Sequence, residues 1–161
     1  MKARKVKGLD PSAPLADNAE RIVRVRLDEL GSFMPRAADP SEVEALHDMR
    51  IAAKRLRYLL EVMRPVLGGY AGEAARRARA LQDVLGEVHD CDVMLPRVHA
   101  ELDALDTADG PRDDAYRGLA VLAADLRTRR AERFRAFRDL WARLEDEGYA
   151  DRLNAALPTA G

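Results

Sequence analysis

Apolar residues along this chain recur every three or four positions and almost never every second one, which is the spacing of helices with one buried face. Leu15, Ala19, Ile22, Leu27, Leu30 and Met34 predict a first helix over 15–34, interrupted by Pro35 and then Asp39-Pro40. Ser41-Glu42-Val43-Glu44 reads as a capping box that opens a second helix. The seam of that helix is Leu46, Met49, Ala53, Leu56, Leu60 and Met63, and Arg64-Pro65 and Gly68-Gly69 end it. A third pattern runs from about Glu73 to about Leu105 on Leu81, Val84, Leu85, Val88, Leu95, Val98, Leu102 and Leu105. It predicts a helix roughly 50 Å long, with a kink or break at Pro96. A turn at Thr107-Ala108-Asp109-Gly110-Pro111 precedes a last long helix from about Asp113 to Glu147. Leu119, Leu122, Leu126, Phe137, Leu140, Trp141 and Leu144 line it, and Gly148 is its stop. A short amphipathic piece around Leu153 and Leu157 folds back. The pattern predicts no strands. The expectation is an all-α, antiparallel bundle of about four long helices over 15–157, preceded by a flexible basic tail over 1–14.

Composition supports this reading and narrows it. The chain has 161 residues, enough for a single core. Aromatics are only 5%, so aliphatic contacts between helices must supply most of the burial. The formal net charge is −1, from 27 Lys+Arg against 28 Asp+Glu, so whole-protein charge selects no partner and only the arrangement of charges can. One cysteine, Cys91, excludes an internal disulfide and a multi-cysteine zinc site. The basic N-terminus is followed by no apolar stretch, and no apolar run is long enough to span a membrane. A cytoplasmic protein is expected.

Charge arrangement singles out the second helix. His47, Arg50, Lys54 and Arg57 fall at i, i+3, i+7 and i+10, a stripe about 100° from the apolar seam. Arg55 and Tyr58 widen it. Surface arginines commonly pair with acids at i±4, but no acid lies between Arg50 and Tyr58, and Asp48 and Glu61 stand toward the ends. A carboxylate from another helix or a bound anion must compensate the stripe, and the sequence leaves both open. Arg76, Arg77 and Arg79 open the third helix, and Arg127, Arg129, Arg130, Arg133, Arg135 and Arg138 lie on the fourth. Some of these are positioned to converge on the stripe. Arginine suits phosphate because it offers paired donors, and lysine adds point charge. Aromatics are not interleaved with the basic run, which disfavours sequence-specific nucleic-acid readout.

Leu85-Gly86-Glu87-Val88-His89-Asp90-Cys91-Asp92 is the second distinctive segment. Gly86 in mid-helix suggests close helix approach. His89 and Asp92, or His47 and Asp48 brought near them, offer a metal site in the manner of phosphohydrolases with His-Asp pairs. The preferred reading is plainer: Asp90 and Asp92 pair with arginines of neighbouring helices. His99 has no obvious partner, and neither an HExxH run nor a Walker-type loop is present. Cys91 reads as a small buried apolar group.

Together, His47-x-x-Arg50-x-x-x-Lys54-Arg55-x-Arg57 and Leu85-Gly86-x-Val88-x-Asp90-x-Asp92-Val93 resemble the CHAD family, the conserved histidine α-helical domain, over roughly residues 12–145. The resemblance implies an all-helical fold and non-enzymatic binding of inorganic polyphosphate through His47, Arg50, Lys54, Arg55 and Arg57. Tyr58, Arg76, Arg79, His89, Arg130 and Arg133 are added as candidate contacts. Family members often carry a basic residue where His89 stands. They usually have two helical halves facing across a positive groove, and this chain resembles one half. A homodimer around a two-fold axis is therefore expected. So are association with polyphosphate granules and no cofactor. The acidic ExExK strand motif of the triphosphate tunnel enzymes that often accompany the family is absent, which argues against triphosphatase activity. The competing expectations are a metal-dependent phosphohydrolase using His47, Asp48, His89 and Asp90, and a structural or adaptor bundle whose arginines only pair internally.

Overall fold

A computed structural model describes residues 2–106 and 114–157. The helices are α1 (Leu15–Gly31), α2 (Met34–Ala37), α3 (Val43–Val62), α4 (Ala71–Asp106), α5 (Asp114–Asp146) and α6 (Tyr149–Ala155). The described residues contain no strand. The turn expected at 107–111 and the start of the last helix at Asp113 lie outside the described residues.

α4 is the axis of the molecule. At 36 residues it is about 54 Å long. It packs against α3 on one side and α5 on another, α1 covers α3, and α6 closes on α5 and α4. The seam read from the sequence on α3 is the one that is buried: Leu46, Met49, Ala53, Leu56, Leu60 and Met63 all join the main core. Val23, Leu27 and Leu30 of α1 meet them, as do Leu81, Leu85 and Val88 of α4, Phe137 and Leu144 of α5, and Leu153 of α6. Small residues such as Ala52, Ala53, Ala74 and Ala75 allow close approach without aromatic bulk. Beyond the reach of α3, Cys91, Val98, Ala123 and Leu126 form a second, smaller cluster with Leu95, Leu102 and Leu119. Cys91 is thus a packing group, and burial pushes its thiol pKa up.

Several local expectations are corrected. Ser41 caps no helix: its hydroxyl donates to Asp39 Oδ1 (2.7 Å), and α3 starts without a side-chain cap. The Asx-type bond keeps Ser41 in the preceding turn. Pro96 does not break α4, which continues through it. The first helix stops at Gly31, and Pro35 sits in the first turn of α2, where its missing N–H costs nothing. Leu15 and Leu122, read as core-facing, are exposed. Gly148 does end α5, with φ +63°, and α6 folds back to bury Leu153.

Residues 2–14 carry no helix. They run back along α1: the Asp10 N–H donates to Asn18 Oδ1 (3.0 Å) and the Arg4 N–H to Glu29 Oε1 (2.9 Å). Glu29 is almost fully enclosed and also receives Arg26 Nη1 at 2.5 Å, with Arg55 Nη1 at 3.7 Å. A buried carboxylate needs such company. Arg4 and Asp10 of this segment are thereby bonded to α1.

Candidate functional site: a cationic seam between two helices

The stripe on α3 faces α4, and the two helices run antiparallel in a definite register. His47 meets His89 with ring centroids 4.8 Å apart. Arg50 Nε lies 3.6 Å from where a Cβ on Gly86 would sit. Arg57 Nε donates to Gln82 Oε1 (2.9 Å). Glu61 Oε1 takes Arg79 Nη2 at 3.5 Å. Arg64, just past the end of α3, lays its guanidinium 3.7–3.9 Å from the Cβ position of Gly72. Residues 47, 50, 54, 57, 61 and 64 repeat by three and four, so they form one line, and Gly72, Arg76, Arg79, Gln82, Gly86 and His89 form its counterpart on α4. From residue 47 to residue 64 the seam is roughly 26 Å long.

The two glycines have a specific use here. Neither lets a helix backbone come closer, as the sequence suggested for Gly86. At each, an arginine of the α3 line lies across α4, at a distance where a Cβ would make an ordinary contact and a longer side chain would not fit. Arg50 Nε is enclosed and has no hydrogen-bond partner among the described residues. Lys54 Nζ reaches 5.9 Å from the centre of the Tyr58 ring, and Arg57 stacks on the same ring at 4.1 Å. At the far end Arg64, Arg76 and Arg79 surround a concavity of about 260 Å³ with Glu61 and Gly72. Glu61 is the only carboxylate on either line.

Compensation of the stripe is partly internal. Arg57 is buried and donates through Nη1 to both oxygens of Glu61, at 2.9 and 3.2 Å. Arg55 leaves the stripe and turns toward Glu29 of α1. The arginines of α5 do not reach the seam by the contacts they make. Arg130 pairs with Asp92 and donates to the Pro40 carbonyl at 2.8 Å. Arg133 Nε lies 2.8 Å from Glu87 Oε2. Both clamp α5 onto α4, in keeping with the reading of Asp92 as an arginine partner. His99, expected to stand alone, accepts from Arg127 Nη1 at 3.0 Å. Sequence reasoning missed Arg64 and Gln82. Arg64 was within reach, because it continues the same period past Glu61.

Burial depresses the His47 pKa below its ordinary value of 6.5, and the nearby His89 and Arg50 add to the effect while Asp48 opposes it. The two histidines do meet, as a metal site would require. Among the described residues, however, no group of three or more His, Cys, Asp or Glu is placed to hold a metal ion.

An all-helical domain with a line of cations along one interhelical seam is the class that fold and site define. The family model of the CHAD domain matches residues 2–99, and the chain belongs to the CHAD domain family. It is 32% identical over 93 residues to the uncharacterized protein Rv2226 of Mycobacterium tuberculosis, a match that covers 57% of this chain. The chain spans 18% of that protein's length. No solved structure matches it significantly. No described helix is long and apolar enough to cross a membrane.

Proposed function

We propose that the α3–α4 seam is a non-enzymatic binding surface for inorganic polyphosphate. One observation carries the reading: His47, Arg50, Lys54, Arg57 and Arg64 on one line and Arg76, Arg79 and His89 on the facing line share a seam roughly 26 Å long, in which Glu61 is the carboxylate. A linear polyanion matches a linear array. Arg50 supplies a donor, Nε, without an acceptor among the described residues, and Arg64, Arg76 and Arg79 supply a cationic end pocket. Binding by counterion release follows, with strong salt dependence and no need for a divalent metal. The family membership supports the same ligand. We place the protein in the cytoplasm, where polyphosphate deposits would recruit it.

The test is titration of purified protein with long-chain polyphosphate at low and moderate salt with EDTA present. Saturable binding that weakens as salt rises is expected. No binding at low salt would overturn the proposal and favour the bundle whose arginines only pair internally, a reading for which the pairs of Arg55, Arg57, Arg130 and Arg133 speak.

We further infer that two copies associate. The support is the outer half of the α4–α5 hairpin, where the apolar Val93, Met94, Val121 and Leu122 are exposed. Light scattering showing a monomer at micromolar concentration, with and without polyphosphate, would remove this part.

A further inference from the structure

The two ends of the α3–α4 seam are not alike. At one end α3 and α4 are joined by residues 63–70, in which Met63 and Leu67 are buried and the Leu67 N–H donates to the Met63 carbonyl at 3.1 Å. At the other end α4 runs on past His89 to Asp106, beyond the start of α3 at Val43. A linear ligand lying in the seam has α4 to follow in one direction and meets the α3–α4 connection in the other.

The concavity of about 260 Å³ sits at the joined end. Leu60 and Ala75, both buried, are its apolar lining, and Gly72 brings in the first turn of α4. Its charged groups are Glu61, Arg64, Arg76 and Arg79. Glu61 is already engaged, by Arg57 through both oxygens and by Arg79. Arg64 and Arg76 pair with no carboxylate among the described residues. Glu73, the acid in the first turn of α4, is held by Arg77 and Arg152. The partial positive charge at the N-terminus of this long helix adds to that of the arginines. Three arginines against one carboxylate leave a surplus of two positive charges in one small pocket.

We propose that this pocket binds the terminal phosphate of a polyphosphate chain, so that the protein takes the chain by its end. This rests on the polyphosphate reading of the seam. Near pH 7 a terminal phosphate carries about −1.5 to −2 charges on three free oxygens, whereas an interior one carries about −1 on two. The surplus of positive charge matches the end, and guanidinium forks donate in pairs to its oxygens. The rest of the chain then runs along the seam toward Arg50 and His47.

Polyphosphate long enough to span the seam is prepared with free ends and with both ends capped as ethanolamine phosphoramidates, which removes the terminal dianion. Each form is titrated against the intact protein at moderate salt with EDTA present. The free-ended chain should bind about tenfold tighter, the scale of the charge-assisted hydrogen bonds lost at one phosphate. Arg76→Gln combined with Arg79→Gln, both at exposed positions, should bring that ratio close to one. Arg50→Ala combined with Lys54→Ala should weaken both forms alike and keep the ratio. Thermal melting establishes that each variant is folded. Equal affinity of the parent protein for the two forms overturns end binding and leaves the seam reading standing. A ratio that persists in the folded Arg76→Gln, Arg79→Gln variant, or that is lost as fully in the Arg50→Ala, Lys54→Ala variant, overturns it as well. No binding of either form overturns both readings.

Discussion

Arg57 and Arg79, from facing helices, share the carboxylate of Glu61: Arg57 Nη1 approaches to 2.9 Å and Arg79 Nη2 to 3.5 Å. This one acid sits in a line of cations, so its removal has opposite effects on stability and binding. Glu61 is over a third exposed, so its ion pairs contribute only about 0.2–1 kcal/mol each. Glu61→Gln should cost no more than about 1 kcal/mol in urea denaturation. The same change adds a net positive charge to the seam and should tighten polyphosphate binding and steepen its salt dependence. Weaker binding by the folded variant would show that the ligand does not follow the seam.

Substitutions in the stripe separate by burial. Arg57 is nearly buried and bonded to Gln82 and Glu61, so Arg57→Ala should destabilise the fold by about 1–3 kcal/mol. A binding loss there would mix folding with recognition. Arg50, Lys54 and Arg64 are the cleaner probes. The Arg50→Ala, Lys54→Ala, Arg64→Ala variant should keep its melting temperature within a few degrees and bind polyphosphate far more weakly. Each lost contact should lower the slope of log K against log salt by up to about one.

Gly86 gives a prediction with two signs. A Cβ there would meet Arg50 Nε at 3.6 Å, an ordinary contact, while glycine in a helix interior is about 1 kcal/mol less favourable than alanine. Gly86→Ala should therefore raise the melting temperature and leave binding nearly unchanged. Gly86→Leu should fill the space over which Arg50 lies and weaken binding. If both variants bound like the parent, Arg50 would not be contributing from its place over Gly86.

His47 links the seam to pH. Its folded pKa is depressed below 6.5, first by burial and then by His89 and Arg50. The unfolded chain therefore takes up the proton at higher pH than the folded one, and stability falls as pH drops from about 6.5 through the folded value. A bound polyanion favours the charged imidazole, so polyphosphate binding should tighten over the same range and offset the loss. Melting curves from pH 8 to pH 5, with and without polyphosphate, should diverge at the acid end, and His47→Gln should reduce the divergence.

Much of the fold was legible in the sequence. The seam of α3 was read residue by residue, the long α4 and α5 were placed to within a few positions, and Gly148 was recognised as a stop. Helix periodicity is a local property, fixed by 3.6 residues per turn whatever the partner. Ser41 was misread, and at Pro96 the break did not occur, because each depends on a choice made one turn away. A hydroxyl can serve a helix or a preceding Asx turn, and a proline ring can be accommodated on an exposed face of a helix packed elsewhere.

The stripe of His47, Arg50, Lys54 and Arg57 was determined by sequence alone, since spacing dictates which side chains share a line. Which of those cations is available was decided only by tertiary structure. The register of α3 against α4 buries Arg57 on Gln82, lays Arg50 over Gly86, stacks His47 on His89 and extends the line to Arg64 and Arg79. The packing of α5 assigns Arg130 and Arg133 to carboxylates of α4. Pairing across helices depends on the offset of one cylinder against another, and that offset is set by the whole core, so no single stretch of sequence encodes it.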